Sequence, residues 1–213
     1  MVEKILVVSI HPDDETLGCG GSLLKYKEEG HNIFCIFVTD GNVHQKKIIP
    51  QINVEYGFTK AFNLHFPELE LDDISLNILI PAFSKIINEV EPTIVFVPNR
   101  CDVHSDHRRV FESLMAVTKT FRFPFIKKIL MYEVISETDF APALPENNFQ
   151  PNVFIDISKF YDHKLRIYSL FNSEIMDSPY TRSIDTLTAH DRYKGSLINV
   201  NYAESFVLLK EIL

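Results

Sequence analysis

Three short runs, Lys4 to Ile10 (KILVVSI), Asn32 to Asp40 (NIFCIFVTD) and Thr93 to Asn99 (TIVFVPN), constrain the fold more than any other feature of this chain. Each is nearly continuous in apolar and β-branched residues rather than alternating, the pattern of a strand covered on both faces in a parallel sheet. The stretches between them carry helical spacing. Leu17, Leu23, Leu24 and Tyr26 sit among polar residues ahead of Gly30, which predicts a helix over Thr16 to Glu29. Leu76, Leu79, Ile80, Phe83, Ile86, Ile87 and Val90 predict another over Leu76 to Val90. Strands alternating with helices imply right-handed βαβ units, with ligand chemistry beyond the carboxyl ends of the strands.

Further along, a helix is expected from Ser105 to about Lys119, strands over Lys127 to Ile135 and Asn152 to Ile157, and helices over Asp162 to Phe171 and Tyr202 to Ile212. Thr138 to Gln150, with two prolines and two asparagines, reads as a loop. The expected class is α/β, a Rossmann-like three-layer α/β/α arrangement around a mostly parallel sheet. No repeat or linker divides the chain, so residues 1–213 are expected to form a single domain. A chain of 213 residues buries roughly 70% of its unfolded surface without disulfides or a structural metal. A metal found here is therefore expected to be functional.

Lys and Arg total 21 against 29 Asp and Glu, a net charge of −8, and the cations are scattered. Counterion release has little to act on, which argues against nucleic acid or acidic lipid as a partner. Cys19, Cys35 and Cys101 are odd in number and widely spaced, so neither a disulfide framework nor a zinc knuckle is expected, and a cytoplasmic location fits. The run ending at Ile10 is too short for a signal segment, and no stretch of 18 apolar residues predicts a membrane span.

Three strand ends carry unusual polar residues: His11-Pro12-Asp13-Asp14-Glu15, Asp40-Gly41, and His104-Ser105-Asp106-His107 a little beyond Asn99. In a parallel sheet these ends share one edge, so residues distant in sequence converge. Two imidazoles and a carboxylate make an open site for zinc or a similar divalent ion. Adjacent carboxylates at Asp13 and Asp14 point in different directions on a turn, so one can ligate while the other accepts a proton. Each half has a plain alternative: HPDDE as a strand-to-helix turn capped by Asp, and His104 or His107 as an ordinary histidine at a helix start. Their occurrence together favours the metal site. Asp40-Gly41 stays open between a self-bonded turn and a contact with substrate.

HPDDE closing the first strand, VTDG closing the second and HSDH opening a later helix resemble the LmbE/PIG-L family of metal-dependent N-deacetylases, as does the C-terminal Tyr202-Ala203-Glu204-Ser205-Phe206. The resemblance implies that His11, Asp14 and His107 hold the metal, with Zn2+ favoured and another divalent transition metal allowed. It implies Asp13 as general base, with His104 and Asp106 as the helper pair in catalysis. The reaction implied is hydrolysis of a linear amide C–N bond, removing acetyl from an N-acetylated amino sugar or glycoconjugate, and the family allows a homo-oligomer. Two readings stand beside it: a metal-dependent amidase on a non-sugar amide, and a sugar- or nucleotide-binding module without catalysis.

Where the family carries an arginine after the second strand, this chain reads Asn42-Val43-His44-Gln45-Lys46-Lys47-Ile48. Lys46 can stand in as a point charge without the bidentate fork of a guanidinium. Asp40, Lys46 and Arg192 are the candidate substrate contacts, with Tyr180 as a further wall of a sugar pocket. Gly18-Cys19-Gly20-Gly21 lacks the last glycine of a dinucleotide loop, so close helix packing is expected there.

Overall fold

Alternate residues of strand β1 (Lys4–Ser9) enter two different cores, which is why its sequence is apolar throughout. Ile5 and Val7 pack on one face of the sheet, and Leu6 and Val8 on the other. The computed structural model describes residues 2–213. Its sheet also contains β2 (Asn32–Thr39), β3 (Lys60–Phe66), β4 (Ile94–Pro98), β5 (Lys128–Tyr132), β6 (Val153–Asp156) and β7 (Ala203–Glu211), in the order β3-β2-β1-β4-β5-β7-β6. The first five in that order run parallel, and β7 is antiparallel to both β5 and β6.

Helices α1 (Asp14–Glu28), α2 (Val43–Tyr56), α5 (Tyr161–Tyr168) and α6 (Ile184–Ser196) cover the first face, where Leu17, Ile52, Tyr168 and Leu187 join its core. Helices α3 (Leu76–Val90) and α4 (Ser105–Val117) cover the second through Phe83, Ile87, Val110 and Leu114. The result is the three-layer α/β/α arrangement. The chain leaves β1 toward β2 and β3 on one side, then crosses back through α3 to β4 on the other. The carboxyl ends of β1 and β4 therefore flank the point where the strand order reverses, the usual place for a ligand in such sheets.

One segment differs from the sequence-based expectation. Tyr202 to Ile212 was expected to be helical, and residues 203–211 instead form β7. A short apolar run does not by itself distinguish strand from helix. Here pairing decides it: β7 bonds to β5 from Lys128↔Glu211 to Tyr132↔Phe206 and to β6 on its other side. Buried Phe206 also meets Phe96 edge-on at 5.1 Å. The helices α2 and α6 and the edge strand β3 had no clear sequence signal. β3 is largely half-buried, and α2 has Pro50 in its interior.

Helix α1 kinks at Cys19, whose φ of −149° lies outside the helical region. A Cβ at Gly18 would lie 2.3 Å from Tyr132 Cδ2, and one at Gly21 2.7 Å from Ile157 Cβ. The glycines thus let α1 lie directly on β5 and the end of β6, which fixes the approach of the turn that precedes it.

Candidate metal centre and active-site cleft

The β1–α1 turn is closed on itself. His11 N–H donates to Asp14 Oδ2 at 2.8 Å, and the Asp13 carbonyl accepts from Thr16 and Leu17 N–H at 2.9 Å. Asp13 itself has φ +149°, a backbone state that costs a non-glycine residue about 1–3 kcal/mol and is held only by its surroundings.

Across the switch point, α4 opens with His104 as its N-cap, Nδ1 accepting from the Asp106 N–H at 3.2 Å. One turn in, His107 reaches back toward β1. Asp14 Oδ2 lies 3.7 Å from His11 Nδ1 and 3.4 Å from His107 Nε2, and all three side chains are buried. Each ring is oriented by a carboxylate behind it. Asp106 Oδ2 lies 3.2 Å from His11 Nε2, and Asp102 Oδ2 lies 2.8 Å from His107 Nδ1. With those nitrogens bearing the protons, His11 Nδ1 and His107 Nε2 present lone pairs toward Asp14.

His107 Nε2 and Asp14 Oδ1 are buried without a hydrogen-bond partner. Leaving such atoms unsatisfied costs about 1–3 kcal/mol each, a cost that a cation bound to them removes. Two imidazole nitrogens and a carboxylate oxygen within 4.8 Å of one another suit a divalent transition metal. His11, His104 and Asp106 form a second, overlapping group. There the Asp106 carboxylate is already taken up by His11 and by the N–H groups of Leu69 and Leu71, at 2.8 and 3.2 Å. Asp106 therefore serves His11 with its side chain and meets His104 only through its backbone.

Asp13, next to Asp14 in the chain, does not join the three converging donors. Its Oδ2 accepts from Arg182 Nη1 at 2.7 Å, while Oδ1 is buried and has no partner. Burial pushes the Asp13 carboxyl well above the usual range, against the pull of Arg182. Burial also raises Glu15 to about 7. For Asp14, the charges of His107 and His11 outweigh burial and hold the carboxyl low. Burial, with the neighbouring rings of His11 and His107, brings His104 down to about 4. Its ring is neutral at pH 7, and since Nδ1 accepts from backbone, Nε2 carries the donor proton.

These groups open onto a cleft of about 410 Å3. Asn42 and Gln45, from the segment that lacks the family arginine, line it as the capping box of α2, and Gln45 Nε2 donates to Pro12 O at 2.8 Å. The three candidate substrate contacts do not line it. Asp40 is bound by Lys46 at 2.6 Å, His65 at 2.9 Å and Asn63 at 3.0 Å, tying the end of β2 to β3 and α2. Arg192 is exposed and rests on Tyr202, with Nη2 3.1 Å from the phenol oxygen.

Asp102 and Arg182 were not singled out by the sequence reading. Asp102 had a weak signal, an acid in the loop between β4 and the HSDH run. Arg182 had none, because it arrives from a loop 169 residues beyond Asp13.

A model of the PIG-L family, described as GlcNAc-PI de-N-acetylase, matches residues 6–118, just over half of the chain. The uncharacterized deacetylase YaiS of Escherichia coli K12 is 29% identical over 75% of this chain and 90% of its own length. Diacetylchitobiose deacetylase of Thermococcus kodakarensis is 25% identical, over 95% of this chain and 82% of its own. The crystal structure of the conserved protein TT1542 from Thermus thermophilus superposes with a TM-score of 0.78 at 25% identity, covering 100% of this chain and 97% of that one.

Proposed function

The chain belongs to the PIG-L family of deacetylases, and from that premise we propose a zinc-dependent hydrolase that removes acetyl from an N-acetylated amino sugar or glycoconjugate. The observation that carries the proposal is the division of labour between adjacent carboxylates. Asp14 turns to His11 and His107, whereas Asp13, which lines the cleft, keeps Oδ1 without a hydrogen-bond partner. The Thermococcus relative acts on diacetylchitobiose, which supports an N-acetylhexosamine as the substrate.

His11, Asp14 and His107 would hold the ion. Zinc, when bound, supplies Lewis acidity that polarises the amide carbonyl and makes water acidic enough to attack at neutral pH. Asp13 Oδ1 takes the proton of the attacking water, with Arg182 fixing the other oxygen so that the free lone pair faces the reacting atoms. His104 Nε2–H donates toward the carbonyl oxygen as negative charge gathers there. The C–N bond then breaks, Asp13 returns its proton to the departing nitrogen, and acetate and a free amine leave.

The test is acetate release from a panel of N-acetylhexosamine conjugates by zinc-loaded wild type beside Asp13→Asn. Wild type is expected to release acetate, and Asp13→Asn to keep the metal while losing about 10²–10⁴-fold in kcat. Retained turnover in Asp13→Asn would falsify the base assignment, and no release from any sugar would remove the sugar deacetylase reading.

A further inference from the structure

The charge around the cleft is one-sided. Asp13, Glu68, Glu137 and Glu174 line it, and among the described residues Arg182 is its sole lysine or arginine. That guanidinium is already committed to Asp13 at 2.7 Å and to Glu137 and Glu174 at 3.4 Å each. Lys46, the expected stand-in for the missing arginine, is bound to Asp40 outside the cleft. A divalent ion held by His11, Asp14 and His107 is offset by Asp13 and Asp14, which leaves Glu68, Glu137 and Glu174 against one arginine.

Past Arg182 the cleft continues into a second hollow, also of about 410 Å3, which shares Glu137, Glu174 and Arg182 with the first. Phe140, Met176 and Tyr180, which are 62%, 49% and 61% exposed, also line it. Apolar and aromatic surface beside carboxylates suits a ring or apolar stem with no negative charge.

Building on the deacetylase reading, we propose that the half of the substrate beyond the N-acetyl sugar is uncharged or cationic, lies in this second hollow, and is selected against when anionic. A phosphate or carboxylate there would meet two carboxylates and a guanidinium whose charge is already shared among Asp13, Glu137 and Glu174. An ammonium or neutral ring meets no such penalty.

Three N-acetylglucosaminides that differ only at the para position of the aglycone test this: the phenyl, 4-carboxyphenyl and 4-(aminomethyl)phenyl glycosides, assayed for acetate release by the zinc-loaded protein. The carboxyphenyl probe is expected to have a kcat/KM at least about ten-fold below the phenyl probe, with the aminomethyl probe equal to it or better. Raised salt narrows the gap by screening, and Glu174→Gln, which removes a charge from the second hollow, narrows it at low salt. A carboxyphenyl probe turned over as well as the neutral one, with acetate released from all three, overturns this selectivity while the deacetylase reading stands. No acetate from any probe removes that reading, and the selectivity with it.

Discussion

Arg182 Nη1 and Asp13 Oδ2 are 2.7 Å apart, joining a loop between α5 and α6 to the turn after β1. The pair is buried on the Asp13 side, where 1% of the side chain is exposed, and 17% of Arg182 is exposed. Arg182→Ala leaves an uncompensated carboxylate in a place with φ +149°, and is expected to cost about 3 kcal/mol of stability. Because it frees a carboxylate that must be held in one orientation, kcat should also fall by about 10²-fold. Metal content should stay near one per chain, since no metal donor touches Arg182. Arg182→Lys, which keeps the charge and loses the fork, should recover part of the stability and little of the kcat. Thermal unfolding, elemental analysis and acetate assays on the two variants decide this; loss of metal in Arg182→Ala would contradict the separation of the two roles.

Asp102 orients His107 from behind, with Oδ2 on Nδ1 at 2.8 Å and Oδ1 held by Asn99 at 2.8 Å and Thr138 at 2.6 Å. Asp102→Ala removes the acceptor that selects the ligating tautomer, and zinc affinity is expected to drop by about 10–100-fold. Thr138→Val removes one support on the far oxygen, along with the bond Oγ1 accepts from Val134 N–H at 3.0 Å, and leaves Oδ2 on His107, so its affinity should lie much nearer wild type. Competition titration against a zinc chelator measures both, and equal affinities for wild type and Asp102→Ala would remove Asp102 from this role.

Away from the site, His190 and Glu133 titrate as partners. Burial would lower the His190 pKa, but hydrogen bonds to Asp191 and Glu133 outweigh it and bring it up to about 9. Burial likewise would raise Glu133, and the bond and charge of His190 with the charge of Lys194 hold it at about 2. The His190 contribution to stability is therefore fully present below pH 6.5 and lost as pH rises through about 9. That of Glu133 is present above pH 4.5 and lost as pH falls toward about 2. His190→Gln should consequently lower Tm most between about pH 5 and 6.5 and least above about pH 9. A Tm difference that did not change across unfolding scans at pH 5.5, 7.5 and 9.5 would show that His190 contributes packing rather than charge.

How much of this was legible in the sequence follows from the range of the interactions involved. The central strands and α3 were readable because burial on both faces, or on one helical stripe, imposes a local pattern. His11, Asp14 and His107 were readable as candidates because two short motifs at strand ends meet wherever the sheet is parallel. β7 was not, since its strand state comes from pairing with β5 and β6, which lie far away in sequence. Arg182 was equally invisible: nothing in Asp177-Ser178-Pro179-Tyr180-Thr181-Arg182 marks an arginine that ends on Asp13. Arg192 looked similar in sequence and ends on Tyr202, so the choice between the two arginines is made by tertiary packing alone.

Lys164 presents the reverse situation, a charge buried for structure. Its side chain is fully buried, with Nζ 2.7 Å from Asp191 Oδ2 and 2.9 Å from Glu204 Oε1. The two carboxylates outweigh the effect of burial and keep the ammonium charged. Glu204 also accepts from Gly21 and Ser22 N–H, at 2.8 and 2.7 Å, where α1 resumes after its kink, so this cluster ties β7 and α5 to the helix that carries Asp14. Lys164→Met strands two buried carboxylates and is expected to cost about 3–5 kcal/mol. Glu204→Gln keeps an acceptor for one backbone donor and leaves Asp191 to neutralise Lys164, so it should cost less. In the double variant, Glu204→Gln removes one of the charges that Lys164→Met exposes, and the combined loss should fall short of the sum by about 1 kcal/mol or more. Urea unfolding of the four proteins closes the cycle. Strict additivity would mean that Lys164 and Glu204 act independently, with the ammonium answering to Asp191 alone.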